Sequence, residues 1–91
     1  MQATRSVQQE ALPVVRSSLE MKRGALELNL RRYEARLAVF ETRFQMTTEQ
    51  CASRFVAGEL GNDAEWFKWE FVRDASRHTA RQLALLQSIR L

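Results

Sequence analysis

Phe55-Val56-Ala57-Gly58-Glu59-Leu60-Gly61-Asn62-Asp63-Ala64-Glu65-Trp66-Phe67-Lys68-Trp69-Glu70-Phe71 is the stretch on which the fold turns. It holds two glycines three residues apart, both tryptophans of the chain, and the acids Glu59, Asp63, Glu65 and Glu70, between two long runs of helical periodicity. Glycine ends helices because it adopts the left-handed conformation without strain, and Asn or Asp followed by Glu starts them. The stretch therefore reads as the turning point of a helical hairpin. The fold class expected is all-α: a long antiparallel hairpin with a short helix at its tip, dimerising into a bundle or coiled coil.

Toward the N-terminus, Leu19, Leu26, Leu30, Tyr33, Leu37, Phe40 and Phe44 recur at steps of three, four or seven. This is a heptad seam, which serves either the hairpin stem or an oligomer. Its flanks are ordered too: Glu20, Glu27, Glu34 and Glu41 repeat every seventh residue on one side, with Lys22, Arg36 and Arg43 on the other. In a parallel helix pair these flanks would match Lys22 with Glu27 and Arg36 with Glu41; in a stem they are simply solvated edges. Ser6 with Gln9 resembles a helix start, Pro13 reads as a break or a first helical residue, and Ser17 with Glu20 offers another start. Residues 1–16 are therefore expected to be an N-terminal extension, partly flexible or a short helix, with helix 1 beginning between residues 13 and 17. Residues 17–91 form the hairpin domain.

Met46-Thr47-Thr48-Glu49-Gln50-Cys51 predicts the short helix, with Thr47 as its cap, Gln50 completing a capping box, and an end near Ala57 before Gly58. Asn62 with Glu65 predicts the start of the third helix, running to about Arg90. Helices 1 and 3 would then match at on the order of 45 Å. Helix 3 shows two apolar rows: Trp69, Val72, Thr79, Leu83 and Leu86 in one, and Phe67, Phe71, Ala75, Leu85 and Ile89 in the other. One row can meet helix 1, and the second asks for another chain.

Ninety-one residues make one domain, and at 45% hydrophobic and 27% charged the composition is that of a chain that folds. The net charge of +3 is unevenly spread: 8 basic against 5 acidic residues in 1–45, 2 against 5 in 46–72, and 4 against 1 in 73–91. A hairpin built this way has an acidic tip and a basic open end, and acids near new helix N-termini are the plain explanation of the tip. One cysteine, Cys51, excludes an internal disulfide, and one Cys with one His gives no zinc-type cluster. Neither a membrane-spanning run nor a signal-type leader is legible, so a cytoplasmic protein is expected.

Nothing here assembles into a catalytic constellation. His78 lies on the second apolar row without a Ser or Cys arrangement that would make it a catalyst, Cys51 reads as a small apolar residue, and Gly58 and Gly61 fit helix punctuation better than phosphate binding. No enzyme activity, cofactor or metal is expected. Seven of the eight aromatic residues lie between Phe40 and Phe71. Phe40, Phe44, Phe55, Trp66 and Trp69 can fix the short helix to the stem, but one small core cannot hide four aromatics that point around a helix. Trp66, Phe67, Trp69 and Phe71, rimmed by Glu59, Asp63 and Glu65, are thus the expected partner-binding residues. Leu26, Leu30, Tyr33, Leu37, Phe40 and Phe44 are the expected seam. Arg73, Arg77 and Arg81 form an i, i+4 row that supports the rival reading, a nucleic-acid contact. A third reading is a purely structural coiled-coil scaffold.

Tyr33-Glu34, Phe40-Glu41, Phe44, Met46-Thr47, Phe55, Gly58-Glu59-Leu60-Gly61 and the acidic step before Trp69 resemble a group of small prokaryotic helical proteins, some of them presumed to be antitoxin-like companions of small toxins. The resemblance covers about residues 30–72, has Asn62 where Asp is expected after the second glycine, and brings no catalytic residue. It implies a non-enzymatic protein-protein interaction module, antitoxin-like or an adaptor, that occludes a protein partner such as a small basic toxin.

Overall fold

The computed structural model describes residues 2–90, with side chains from residue 9 onward. Three helices follow one another: α1 (Gln2–Phe44), α2 (Thr48–Val56) and α3 (Ala64–Gln87). Helices α1 and α3 pack along each other and α2 closes the tip, in a body 61 × 22 × 19 Å. The all-helical hairpin is thus as expected from the periodicity, and no strand occurs among the described residues.

The lengths differ from expectation. At about 1.5 Å per residue, α1 with its 43 residues is far longer than α3 with 24. The expected start between residues 13 and 17 is corrected to Gln2, because α1 runs straight through Pro13. Proline removes one amide donor, the one that would reach the Gln9 carbonyl, but the residues on both sides stay helical and the remaining bonds carry the helix across. Ser6 lies within the helix rather than at its start, and its side chain is outside the described set. The far end of α3, with Ile89 just beyond it, faces α1 across a groove lined by Leu19 and Arg23 on one side and Leu86 and Ile89 on the other.

The turns follow the local chemistry closely. α1 stops at Phe44 because Gln45 takes φ 56, and its side-chain amide donates back to the Thr42 carbonyl at 2.9 Å. Thr47 caps α2: its hydroxyl accepts from the Gln50 amide at 3.1 Å while the Gln50 side chain accepts from the Thr47 amide at 2.9 Å. A third acceptor comes from α1, where the Glu41 carboxylate takes the Thr48 amide at 2.7 Å. This places a negative charge at the positive end of α2. α2 ends with Gly58 at φ 74, its amide on the Phe55 carbonyl and that of Glu59 on the Arg54 carbonyl. This pair of bonds satisfies two carbonyls that the helix end would otherwise leave bare.

The start of α3 falls one residue later than Asn62 implies. Gly61, at φ 76, swings the chain so that Asp63 is the extended cap residue, and its carboxylate accepts from the Glu65 amide at 2.9 Å. At the other end Ser88 caps α3 through the Leu85 carbonyl, so the helix stops at Gln87, short of Arg90.

The core is small; its largest buried side chains lie toward the tip, and Leu26 and Thr79 extend it along the stem. Trp69 and Val72 are 1% and 0% exposed, and Leu26, Cys51, Ala52, Thr48 and Thr79 are also buried. Leu30, Tyr33, Leu37, Phe40 and Phe44 are half-buried, so the seam read from sequence is the face of α1 turned to α3. Trp69 stacks on Phe40 at 5.3 Å and Phe44 at 5.7 Å, and Phe44 in turn meets Trp66 at 4.6 Å. The indole N–H of Trp69 donates to the Thr48 hydroxyl at 3.1 Å. A single buried ring therefore joins all three helices.

Candidate functional site

The residues predicted to bind a partner divide into two groups. Trp69 belongs to the core: at 1% exposure it cannot anchor another molecule while the fold is closed. Its row on α3 faces α1, as the burial of Val72 and Thr79 along the same side shows. Trp66 is half-buried against Phe44. Phe67 and Phe71 stand outside this stack, 53% and 68% exposed. Phe67 touches the edge of Phe55 at 5.2 Å, which places the last turn of α2 beside it.

The second apolar row of α3 thus reaches solvent along most of its length. Leu85 is 56% exposed, His78 is exposed between it and Phe71, and Ala75 is half-buried, while Ile89, expected on the same row, lies two residues past the end of α3 and is 48% exposed. Asp63 lies one turn before Phe67 and Asp74 lies about one turn after Phe71, both exposed, so acids border the aromatic end of the row. Glu59 is exposed in the loop ahead of them. Glu65 is less available than expected, because Arg43 reaches it at 3.2 Å and Lys68 at 3.6 Å, tying α1 to the first turn of α3.

The predicted arginine row is not uniform. Arg73 bridges elements: it meets Glu49 of α2 at 3.3 Å and Glu70 at 3.1 Å, and its side chain is only 18% exposed. The hydrogen bonds it donates to the Glu49 carboxylate lead the causes that raise its pKa. Arg77 lines a shallow groove with Glu34, Glu41 and Glu49, whose carboxylates would oppose a phosphate. Arg81 is exposed. The three do not form one free basic surface.

The flank charges of α1 are also used within the chain. Arg23 pairs with Glu20 and lies 3.9 Å from Glu27, Glu41 holds the α2 terminus, and Arg43 holds Glu65 and sits 5.0 Å from the Phe44 ring centre. The cross-chain match of Lys22 with Glu27 and Arg36 with Glu41 therefore has intrachain competitors. Cys51 is buried, and its pKa is raised first by that burial and then by the Glu70 carboxylate, with Arg54 acting in the opposite sense. Such a thiol packs rather than reacts. Among the described residues no His, Cys, Asp and Glu group is placed to hold a metal, and no helix is long and apolar enough to cross a membrane.

One exposed row escaped the heptad reading. Val14, Met21, Leu28 and Val39 on α1 are 66%, 75%, 41% and 66% exposed. The signal was present as a seven-residue step from Val14 to Met21 to Leu28, on positions that a single-seam heptad assigns to solvent. No family model, curated protein or solved structure matches the chain.

Proposed function

We propose that this chain is a non-enzymatic protein-protein interaction module, antitoxin-like or an adaptor, that binds and occludes a protein partner with the outer row of α3. The observation that carries this reading is the exposure of Phe67 and Phe71, at 53% and 68%, on a helix whose opposite row already fills the core. Fully burying an exposed phenylalanine is favourable by roughly 1.5–3 kcal/mol, so two adjacent rings left in water favour a covering surface. Asp63 and Asp74 at the borders and Glu59 ahead of them fit a basic partner, such as a small basic toxin. Occlusion needs no catalytic group, only a rigid helix face, and α3 is held on one side by α1 and braced by α2.

The reading includes a homodimer, with Leu85 and Ile89 as the apolar surface toward the open end. Light scattering that returns a fully helical monomer at tens of micromolar would remove the dimer and leave the occlusion reading intact. The occlusion itself is tested by retrieval of partners from the native host with the wild-type chain and with Phe71→Ala. A stoichiometric protein retained by the first and weakened by about 2 kcal/mol, roughly 30-fold, in the second is the expected result. Retention of nucleic acid alone, abolished by removing Arg77 and Arg81, would replace it with the rival reading.

A further inference from the structure

The uncovered row on α1 differs in kind from the one on α3. Residues two apart on a helix point about 200° apart, so Leu28 faces away from Leu26 and Leu30, which serve the stem. Val14, Met21 and Leu28, separated by the small residues Ser18 and Ala25, continue through Ala35 to Val39, in alternate steps of three and four with Arg32 between. A solvated helix back normally carries charges of both signs. Here the glutamates of the stretch, Glu20, Glu27 and Glu34, fall on one other line of the helix, which Glu41 continues.

Between Val14 and Val39 the charges on and beside the row are basic only. Lys22, Arg31, Arg32 and Arg36 are exposed, and no ion pair among the described residues engages them. The cations nearer the core, Arg23, Arg43 and Arg73, do have carboxylate partners within the chain. The arrangement is a seam of apolar and small residues, crossed by Arg32, with a positive rim that no ion pair within the described residues engages.

We propose that this face of α1 docks an acidic amphipathic helix of a partner protein, in coiled-coil fashion, with the partner's carboxylates on Lys22, Arg31, Arg32 and Arg36. Alternation in steps of three and four is the spacing at which one helix packs its side chains between those of another. Ser18, Ala25 and Ala35 let the partner backbone come close, while Val14, Met21, Leu28 and Val39 supply the apolar contacts. A second copy of the chain fits poorly, because self-pairing sets the same four cations against one another. A bilayer surface fits poorly as well: interfacial helices present a broad apolar face with Trp, Phe or Leu, whereas the aromatic residues of α1 are on the side turned to α3. The site lies on a different helix from the Phe67–Phe71 row and does not depend on it.

The test uses a helical probe peptide of about four heptads, on the order of 28 residues, with Leu and Ala on its seam and Glu on its flanks. Fluorescence anisotropy is read with the full chain and with a sister peptide carrying Lys on the flanks. The acidic peptide should bind, the Lys peptide should not, and raising the salt should weaken the acidic complex. Leu28→Glu and Met21→Glu should each weaken it by about tenfold or more, while Phe71→Ala leaves it unchanged. Leu28→Gln, with the far-ultraviolet circular dichroism melt of each variant, separates loss of binding from loss of fold. Equal binding of the two peptides, no binding of either, or binding insensitive to both substitutions would overturn the proposal. So would sedimentation with phosphatidylglycerol vesicles in place of peptide binding, or self-association abolished by Leu28→Glu.

Discussion

Replacing Trp69 by Phe and Thr48 by Val, singly and together, probes the joint on which the three helices converge. The indole is 1% exposed and its N–H donates to the Thr48 hydroxyl at 3.1 Å in a buried setting. Trp69→Phe removes that donor, a net loss of about 1 kcal/mol, and part of a ring stacked on Phe40 and Phe44. If the lost ring surface is on the order of 40 Å², burial at about 25 cal/mol per Å² contributes a further ~1 kcal/mol. The single variant should thus lose about 2 kcal/mol, which for a chain of this size lowers the melting temperature by on the order of 10 °C. Thr48→Val leaves the indole N–H buried without an acceptor and should cost about 1–3 kcal/mol. In the double variant neither unpaired group remains, so the two losses should fall short of additive by about 1 kcal/mol. The assay is urea unfolding followed by circular dichroism at pH 7. Additivity within about 0.3 kcal/mol would mean that the hydrogen bond does not hold the joint in solution.

Other predictions follow from the remaining clasps. Glu41→Gln removes the charge at the α2 N-terminus while keeping an acceptor for the Thr48 amide, and should cost about 0.5–1 kcal/mol in low salt and less in high salt; an unchanged urea midpoint would count against Glu41 as a cap. Arg73→Ala frees α2 from α3 and strands Glu70 in a half-buried place, so α2 amides should exchange faster and stability should fall by about 1 kcal/mol, measured by hydrogen exchange and urea unfolding. The Cys51 thiol has its pKa raised by burial, so the folded chain holds that proton more tightly than the unfolded one. Its contribution is complete below the ordinary thiol range and is lost as pH rises above that range through the raised pKa of the folded thiol; wild type should therefore lose stability relative to Cys51→Ala as pH rises above about 8.5. The same burial predicts slow alkylation by iodoacetamide in the folded chain and fast alkylation in urea.

Much of the hairpin was legible because its signals are local. Thr47 with Gln50 and Gly58 with its neighbours determine the ends of α2 within four or five residues, and the α1 seam repeats often enough to identify its face. Pro13 misled because a helix tolerates one missing donor when the residues around it remain helical. Asn62 and Asp63 compete for one cap, and the choice is made by the Gly61 turn, which periodicity does not report. For the candidate site, the existence of a second row on α3 was visible, but not which of the adjacent aromatics would be inside. Trp69 and Phe71 are chemically similar and two residues apart; only the position of α1 separates the buried ring from the exposed one. The α1 outer row went unseen for a different reason: assigning one seam to a heptad leaves its other positions to water, so a second seam on the same helix is easily missed.

The proposal that α3 presents its outer row to a protein is tested most directly by crosslinking from that row. Benzoyl-phenylalanine placed at position 71, with position 53 on the exposed side of α2 as control, is photoactivated in cells of the native host. A discrete protein adduct is expected from position 71 and none from position 53. Crosslinks to nucleic acid alone, or an identical adduct pattern from both positions, would contradict it.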